Sequence, residues 1–195
     1  MERIAAASPR LKARIAGAFY LLTIVLGVFA FFVAGPLTAI GVAANYIAAA
    51  SYVVVAVLFY FMFRPVNRGL SLLAAFDSVI GGVAIGTLSD LHLVPHINSF
   101  IFFGTYCVLI GYLILKSTFL PRILGVLMAL AGFGYLTSLW PPLETHLSYF
   151  TALVGLLGEG SLTVWLLLVG VDDRRWREQA GVARPTTAAA QTHAT

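Results

Sequence analysis

A chain of 195 residues is long enough for one or two soluble domains, yet 60% of it is apolar and only 10% is charged, far below the roughly 25% charged residues of soluble domains. That composition excludes a water-soluble enzyme and puts the chain in a bilayer. The formal net charge of +4 comes from small basic clusters set between apolar runs rather than from one basic stripe interleaved with aromatics, which excludes nucleic acid as a partner.

Residues 1–14 read as a cytoplasmic N-terminal segment. The apolar run from Ile15 to Val33 follows. It approaches the ~20 residues that cross a bilayer and exceeds the ~7 to 15 of a signal-peptide core, so it reads as an uncleaved first helix. Further stretches long enough to cross lie at about 45–63, 70–90, 98–115, 123–140 and 149–171, each bounded by charge, proline or a polar cluster. The expected fold is therefore all-α, a polytopic bundle of six transmembrane spans over 15–171. Stretches such as SYVVVAVLFYFMF are continuously apolar rather than alternating, which excludes a β-barrel. Beyond Val171 the apolar period is lost, and 172–195 is expected to be a disordered cytoplasmic tail with Trp176 and its arginines against anionic headgroups.

Every Lys and Arg falls in one of four segments: the N-terminus (Arg3, Arg10, Lys12, Arg14), the second connection (Arg64, Arg68), the fourth (Lys116, Arg122) and the tail (Arg174, Arg175, Arg177, Arg184). Cationic connections stay in the cytoplasm. Both termini are therefore expected there, with the chain a multi-pass protein of the cell membrane. Arg14, Arg68 and Arg122 recur every 54 residues, a spacing that fits three stacked hairpins or simply evenly spaced helices. Gly82 with Gly86, Gly104 with Gly111 and Gly125 with Gly132 stand at packing intervals. Such faces close helices together within one chain or form the seam of a homo-oligomer. Pro65 and Pro121 suit helix ends, since they lack a backbone donor. Cys107, the single cysteine, lies in an apolar run and reads as a small buried residue.

Two acids fall inside spans. Glu159, flanked by Gly158 and Gly160, is about 12 residues or ~18 Å from the cytoplasmic end of the sixth span. A carboxylate there costs roughly 2.5 to 3.5 kcal/mol. The chain must carry it as the neutral acid, face it to a wet cavity, or supply hydroxyl partners; the candidates are Thr163, Tyr20, Thr23, Asn45 and Tyr46. Asp77 lies about 7 residues or ~10 Å into the third span, so the two acids are expected to differ in depth by ~8 Å. On the outward side Asp90, His92, His96, Glu144 and His146 have the ligand chemistry of a zinc site but no zinc-motif spacing, and scattered solvated loop residues are the competing reading. No phosphate-cradling glycine loop and no serine-nucleophile motif occurs, and no cofactor is expected.

Four stretches, RIAGAFYLLTIVLGVFA, FRPVNRGLSLLAAF, GYLILKSTFLPRILGVLMALAGFGYL and GEGSLTVWLLLVGV, together resemble the bacterial membrane family known as domain of unknown function 4386. The resemblance covers about residues 11–171 and implies a polytopic α-helical membrane protein without implying an activity. Three functions follow, in order: a non-catalytic membrane subunit or interaction protein, a small proton-linked transporter using Glu159 and Asp77, and a membrane-embedded metal-dependent hydrolase with an outward-facing site.

Overall fold

The computed structural model describes residues 8–34, 38–85 and 98–181. Among the described residues all regular structure is helical. Helix α1 spans Pro9–Phe29 and runs on as a π-helical segment, Ala30–Ala34. Ser8 starts it, its hydroxyl accepting from the Leu11 amide, with proline at the first helical position, where a missing N–H costs nothing. Thr38 caps α2, Ala39–Phe63, by accepting from Gly41 N. Asn67 does the same for α3, Arg68–Phe76, through Leu70 N. At Asp77 the α-helical ladder gives way to a π-helical segment, Asp77–Ile85. Helix α4 covers Phe100–Lys116, α5 Arg122–Leu136 with a 3₁₀ turn at Thr137–Leu139, and α6 Pro141–Leu168.

Each helix packs on its successor and α6 returns to α1, so the six rods close into a ring. Its interior is filled by Tyr20, Tyr106, Phe59, Phe63, Ile110, Met128, Leu162 and other buried side chains. The outer surface is apolar too: Phe32, Ile40, Phe133 and Leu168 are all at least 60% exposed. A soluble protein would not expose so much continuous apolar surface. Four helices are long and apolar enough to cross a membrane, Pro9–Ala34, Ala39–Phe63, Arg122–Leu139 and Thr145–Leu168. The other two expected crossings differ for separate reasons. Helix α4 has 17 residues, ~26 Å of rise against a hydrocarbon core of ~30 Å. Helix α3 is interrupted at Asp77.

Glycines set the closest approaches. A Cβ on Gly111 would lie 2.8 Å from the Gly125 carbonyl, and one on Gly132 would lie 2.7 Å from the Gly104 carbonyl. The glycine faces of α4 and α5 are thus spent on each other within one chain. The Gly82–Gly86 pair extends outside the described residues.

The four cation-bearing segments meet at one end of the ring. There Arg10 Nε donates to the Val169 carbonyl and an Arg14 Nη to that of Leu168, each at 3.1 Å. These arginines satisfy carbonyls that the C-terminus of α6 leaves without helical partners. Gly170, at φ +76°, adopts a left-handed conformation that favours glycine and turns the chain away. The disorder expected beyond Val171 does not hold for its first part: Asp172 caps a short helix α7, Asp173–Gln179. Trp176 donates its indole N–H to the Met62 carbonyl at 2.8 Å. Gln179 receives both the amide and the hydroxyl of Thr118, and Asp173 accepts from the Arg10 amide. Hydrogen-bond partners at or just beyond the ends of α1, α2 and α4 order this segment. Residues 182–195 lie outside the described residues.

Candidate functional site

Counted from the cation-bearing end, polar residues of all six helices fall at one level. Tyr20 is eleven residues into α1, Tyr52 eleven before the end of α2, Asp77 nine and Ser78 ten after the start of α3. Tyr106 is ten before the end of α4, Tyr135 thirteen into α5, and Glu159 nine before the end of α6. At 1.5 Å per residue these positions lie ~14 to 20 Å along their helices from that end. The ~8 Å depth difference expected between the two acids is therefore corrected. Helix α6 stops at Leu168 rather than Val171 because Gly170 turns the chain, and α3 starts at Arg68 because Asn67 caps it there.

Glu159, 7% exposed, has both carboxyl oxygens engaged. Tyr135 donates to Oε1 at 2.6 Å and Tyr20 to Oε2 at 3.2 Å. The shorter contact has the length of an O–H bond to a charged acceptor, the stronger kind. One carboxyl thus joins α1, α5 and α6. The backbone makes this possible. A Cβ on Gly17 would come within 3.0 Å of Leu166 on α6, and one on Gly158 within 2.7 Å of the Leu127 carbonyl on α5, while Gly155 leaves the space the Tyr135 hydroxyl occupies. Gly160 faces nothing of another helix, so the two glycines flanking the acid act differently.

Of the five expected hydroxyl or amide partners, only Tyr20 reaches Glu159. Thr23 shares its proton between the Phe19 and Ala48 carbonyls, tying α1 to α2. Asn45 and Tyr46 face outward. Thr163 is buried, but its hydroxyl has no partner. Tyr135, the missed residue, sits 24 positions away. The signal for it was its depth in α5 together with Gly155, one turn before the acid.

The facing side of the ring is handled differently. Asp77 is half-buried and its Oδ2 has no hydrogen-bond partner. The same holds for the fully enclosed hydroxyls of Tyr52, Ser78 and Tyr106. The Tyr52 and Tyr106 rings are in edge-to-face contact, yet neither hydroxyl meets hydrogen-bonding geometry. An unsatisfied buried polar group costs about 1–3 kcal/mol, so several in one place call for an explanation. Aromatic contacts hold them. Tyr52 lies 6.2 Å from Tyr20, 5.6 Å from Tyr106 and 5.6 Å from Phe103 between ring centroids, and Phe103 packs edge-on to Tyr135 at 4.9 Å.

Of the outward residues considered for metal, Asp90, His92 and His96 and the side chain of Glu144 lie outside the described residues. His146 is exposed near the start of α6. Among the described residues no three His, Cys, Asp or Glu side chains form a group that could hold a metal ion.

Residues 87–170 match the family described as "Domain of unknown function (DUF4386)", a stretch that contains Tyr106, Tyr135 and Glu159. The chain is also similar to an archaeal protein from Archaeoglobus fulgidus described as "Uncharacterized protein", 32% identical over 127 residues, which cover 60% of this chain and 76% of that protein. No solved structure matches.

Proposed function

We propose, for a chain that belongs to the family described as a domain of unknown function, DUF4386, a non-catalytic role in the cell membrane as a membrane subunit or interaction protein. One observation carries this reading. The most deeply buried acid among the described residues has both oxygens taken up by tyrosine hydroxyls from two other helices, so its chemistry is spent on fixing how α1, α5 and α6 meet. Polar side chains in membrane bundles serve as such interhelical ties.

The bundle crosses the bilayer six times, with both termini in the cytoplasm. Supporting this are the bonds that bring the N-terminal, 116–122 and C-terminal segments to one end, the end that positive charge holds inside. Helix α4, though short, crosses with Lys116 reaching to the interface at its end. Gly27 and Gly160, which no other helix approaches among the described residues, are glycines left for contact with a second copy.

A phosphatase that is active only outside the cytoplasm, fused at His146, is expected to be active, and one fused at Val66 silent. The reverse pattern overturns the topology. For the function, Glu159→Gln protein is expected to insert and fold with reduced stability, while vesicles holding it leak protons no faster or slower than vesicles holding the wild type. A wild-type proton flux that this variant abolishes overturns the non-catalytic reading.

A further inference from the structure

The cation-bearing end of the ring holds a cleft of about 600 Å³ that takes no part in the carboxyl tie. The start of α1, the 118–121 connection, the end of α6 and the start of α7 frame it. That volume falls within the ~300 to 1,000 Å³ of sites that take a small molecule. Part of the lining is apolar, with Phe119, Leu120 and Pro121 from the connection and Trp165 and Val169 from the end of α6. The rest carries Arg10, Arg174 and Arg175 beside Asp172 and Asp173. The geometry points to a lipid site: the cleft seats a phospholipid headgroup of one negative charge, its phosphodiester on Arg10 and Arg174, its glycerol and first acyl carbons on Trp165 and Val169.

The cations select a phosphate. Arg10 is held by its stem: Nε donates to the Val169 carbonyl, and Gly170 leaves the chain room, since a Cβ there would stand 2.9 Å from Arg10 Cγ. Among the described residues no carboxylate pairs with the Arg10 guanidinium, so its terminal nitrogens can meet phosphate oxygens as a fork. Arg174 pairs with the exposed Glu178 at 3.6 Å, a contact weak enough to yield to a phosphate. Arg175 is more committed, because it bonds to the Thr118 carbonyl and pairs with Asp172. The aspartates serve the fold: Asp172 Oδ1 accepts from the amides of Arg174 and Arg175, and Asp173 Oδ1 from that of Arg10. Their charge still limits the ligand. Three arginines against two aspartates leave the lining one positive charge, which one phosphodiester neutralises and a doubly charged phosphate monoester exceeds. The apolar lining in turn selects a lipid over a soluble phosphate. Val169 is 43% exposed and Leu168 beside it 70%, so that lining continues onto the outer surface of the bundle, where acyl chains lie. Basic pockets at the cytoplasmic ends of membrane helices suit anionic headgroups in this way. That the lipid comes from the cytoplasmic leaflet rests on the topology proposed above, whereas the site itself does not.

The test uses the full chain in detergent micelles, titrated with phosphatidylglycerol and read by native mass spectrometry. One phosphatidylglycerol is expected to stay on the wild type, with the net-neutral phosphatidylcholine and phosphatidylethanolamine bound about fivefold more weakly or worse. Arg10→Gln should weaken phosphatidylglycerol about tenfold and Arg174→Gln about fivefold. Arg64→Gln, at the same end but outside the cleft, should leave it unchanged. The Arg174 side chain is 77% exposed, so its variant folds even where Arg10→Gln, which loses a bond to the end of α6, does not. Asp173→Asn keeps an acceptor for the Arg10 amide while adding one positive charge to the lining, and should tighten binding about fivefold. Free glycerol phosphate in excess is expected not to displace the lipid. Displacement by it would assign the cleft to a soluble phosphate and overturn the proposal. So would neutral lipids held as tightly as phosphatidylglycerol, or cleft variants that lose no more than Arg64→Gln. A reversed pattern of phosphatase fusions overturns the topology alone and leaves this titration as expected.

Discussion

Glu159 and Asp77 stand at the same depth on opposite sides of one ring, and the protein treats them in opposite ways. Glu159 has a hydroxyl donor on each oxygen, brought from α1 and α5. Asp77 has an oxygen that meets none and opens a segment where the helical ladder changes. Gly17, Gly155 and Gly158 let neighbouring helices and the Tyr135 hydroxyl come up to α6 and to the acid. The Asp77 segment has a close approach of its own, since a Cβ on Gly81, one turn on, would run into the Phe102 side chain of α4, but what that glycine admits is a phenyl ring and not a hydroxyl. One side of the bundle is fastened by polar bonds, the other by aromatic packing.

The largest expected effect breaks the fastened side at its backbone. Gly158→Leu puts a side chain where a Cβ alone would stand 2.7 Å from the Leu127 carbonyl and 2.8 Å from Ala131 Cβ. Forcing α5 away should cost about 3 kcal/mol, measured by reversible unfolding in mixed micelles, and should carry Tyr135 out of reach of the acid. Equal stability would mean that close approach is not what positions the tie. The individual bonds come next. Tyr135→Phe removes the 2.6 Å bond and should cost about 1.5 kcal/mol, near the upper end for bonds between membrane helices. Tyr20→Phe removes the 3.2 Å bond and should cost nearer the mean of about 0.6 kcal/mol. A reversed order would show that Tyr20 is the main partner.

The sequence made the acids visible and hid their partners. Hydropathy and cation placement are signals read along the chain, and they are enough to find the helical runs, the cation-rich end and the two acids inside spans. Tyr20 was legible because it shares a depth with Glu159. Tyr135 was not, because whether its hydroxyl reaches depends on the rotation of α5 and on the gap opened at Gly155, which is a property of two packed helices. The acids' relative depth was misjudged for a local reason: Gly170 ends α6 within a run that stays apolar to Val171, so composition overran the helix by three residues. Helix α7 was hidden because a polar, arginine-rich tail resembles disorder until Trp176 and Gln179 find backbone and hydroxyl partners on other elements.

The smallest expected effect sharpens the contrast most. Asp77→Asn keeps the side-chain volume and removes the charge. If Asp77 took part in a tie like that of Glu159, the change would cost as much as Tyr135→Phe. Its Oδ2 meets no donor, however, so there is no bond to lose, and an amide is easier than a carboxylate to hold at this depth. The same unfolding measurement should therefore find Asp77→Asn within about 0.5 kcal/mol of the wild type or above it, while Tyr135→Phe falls below. A stabilised or neutral variant says that the acid is retained against the interests of packing, as groups kept for a purpose other than stability are. A clear loss would mean that Asp77 fastens its own side and that the two halves of the ring differ less than their geometry implies.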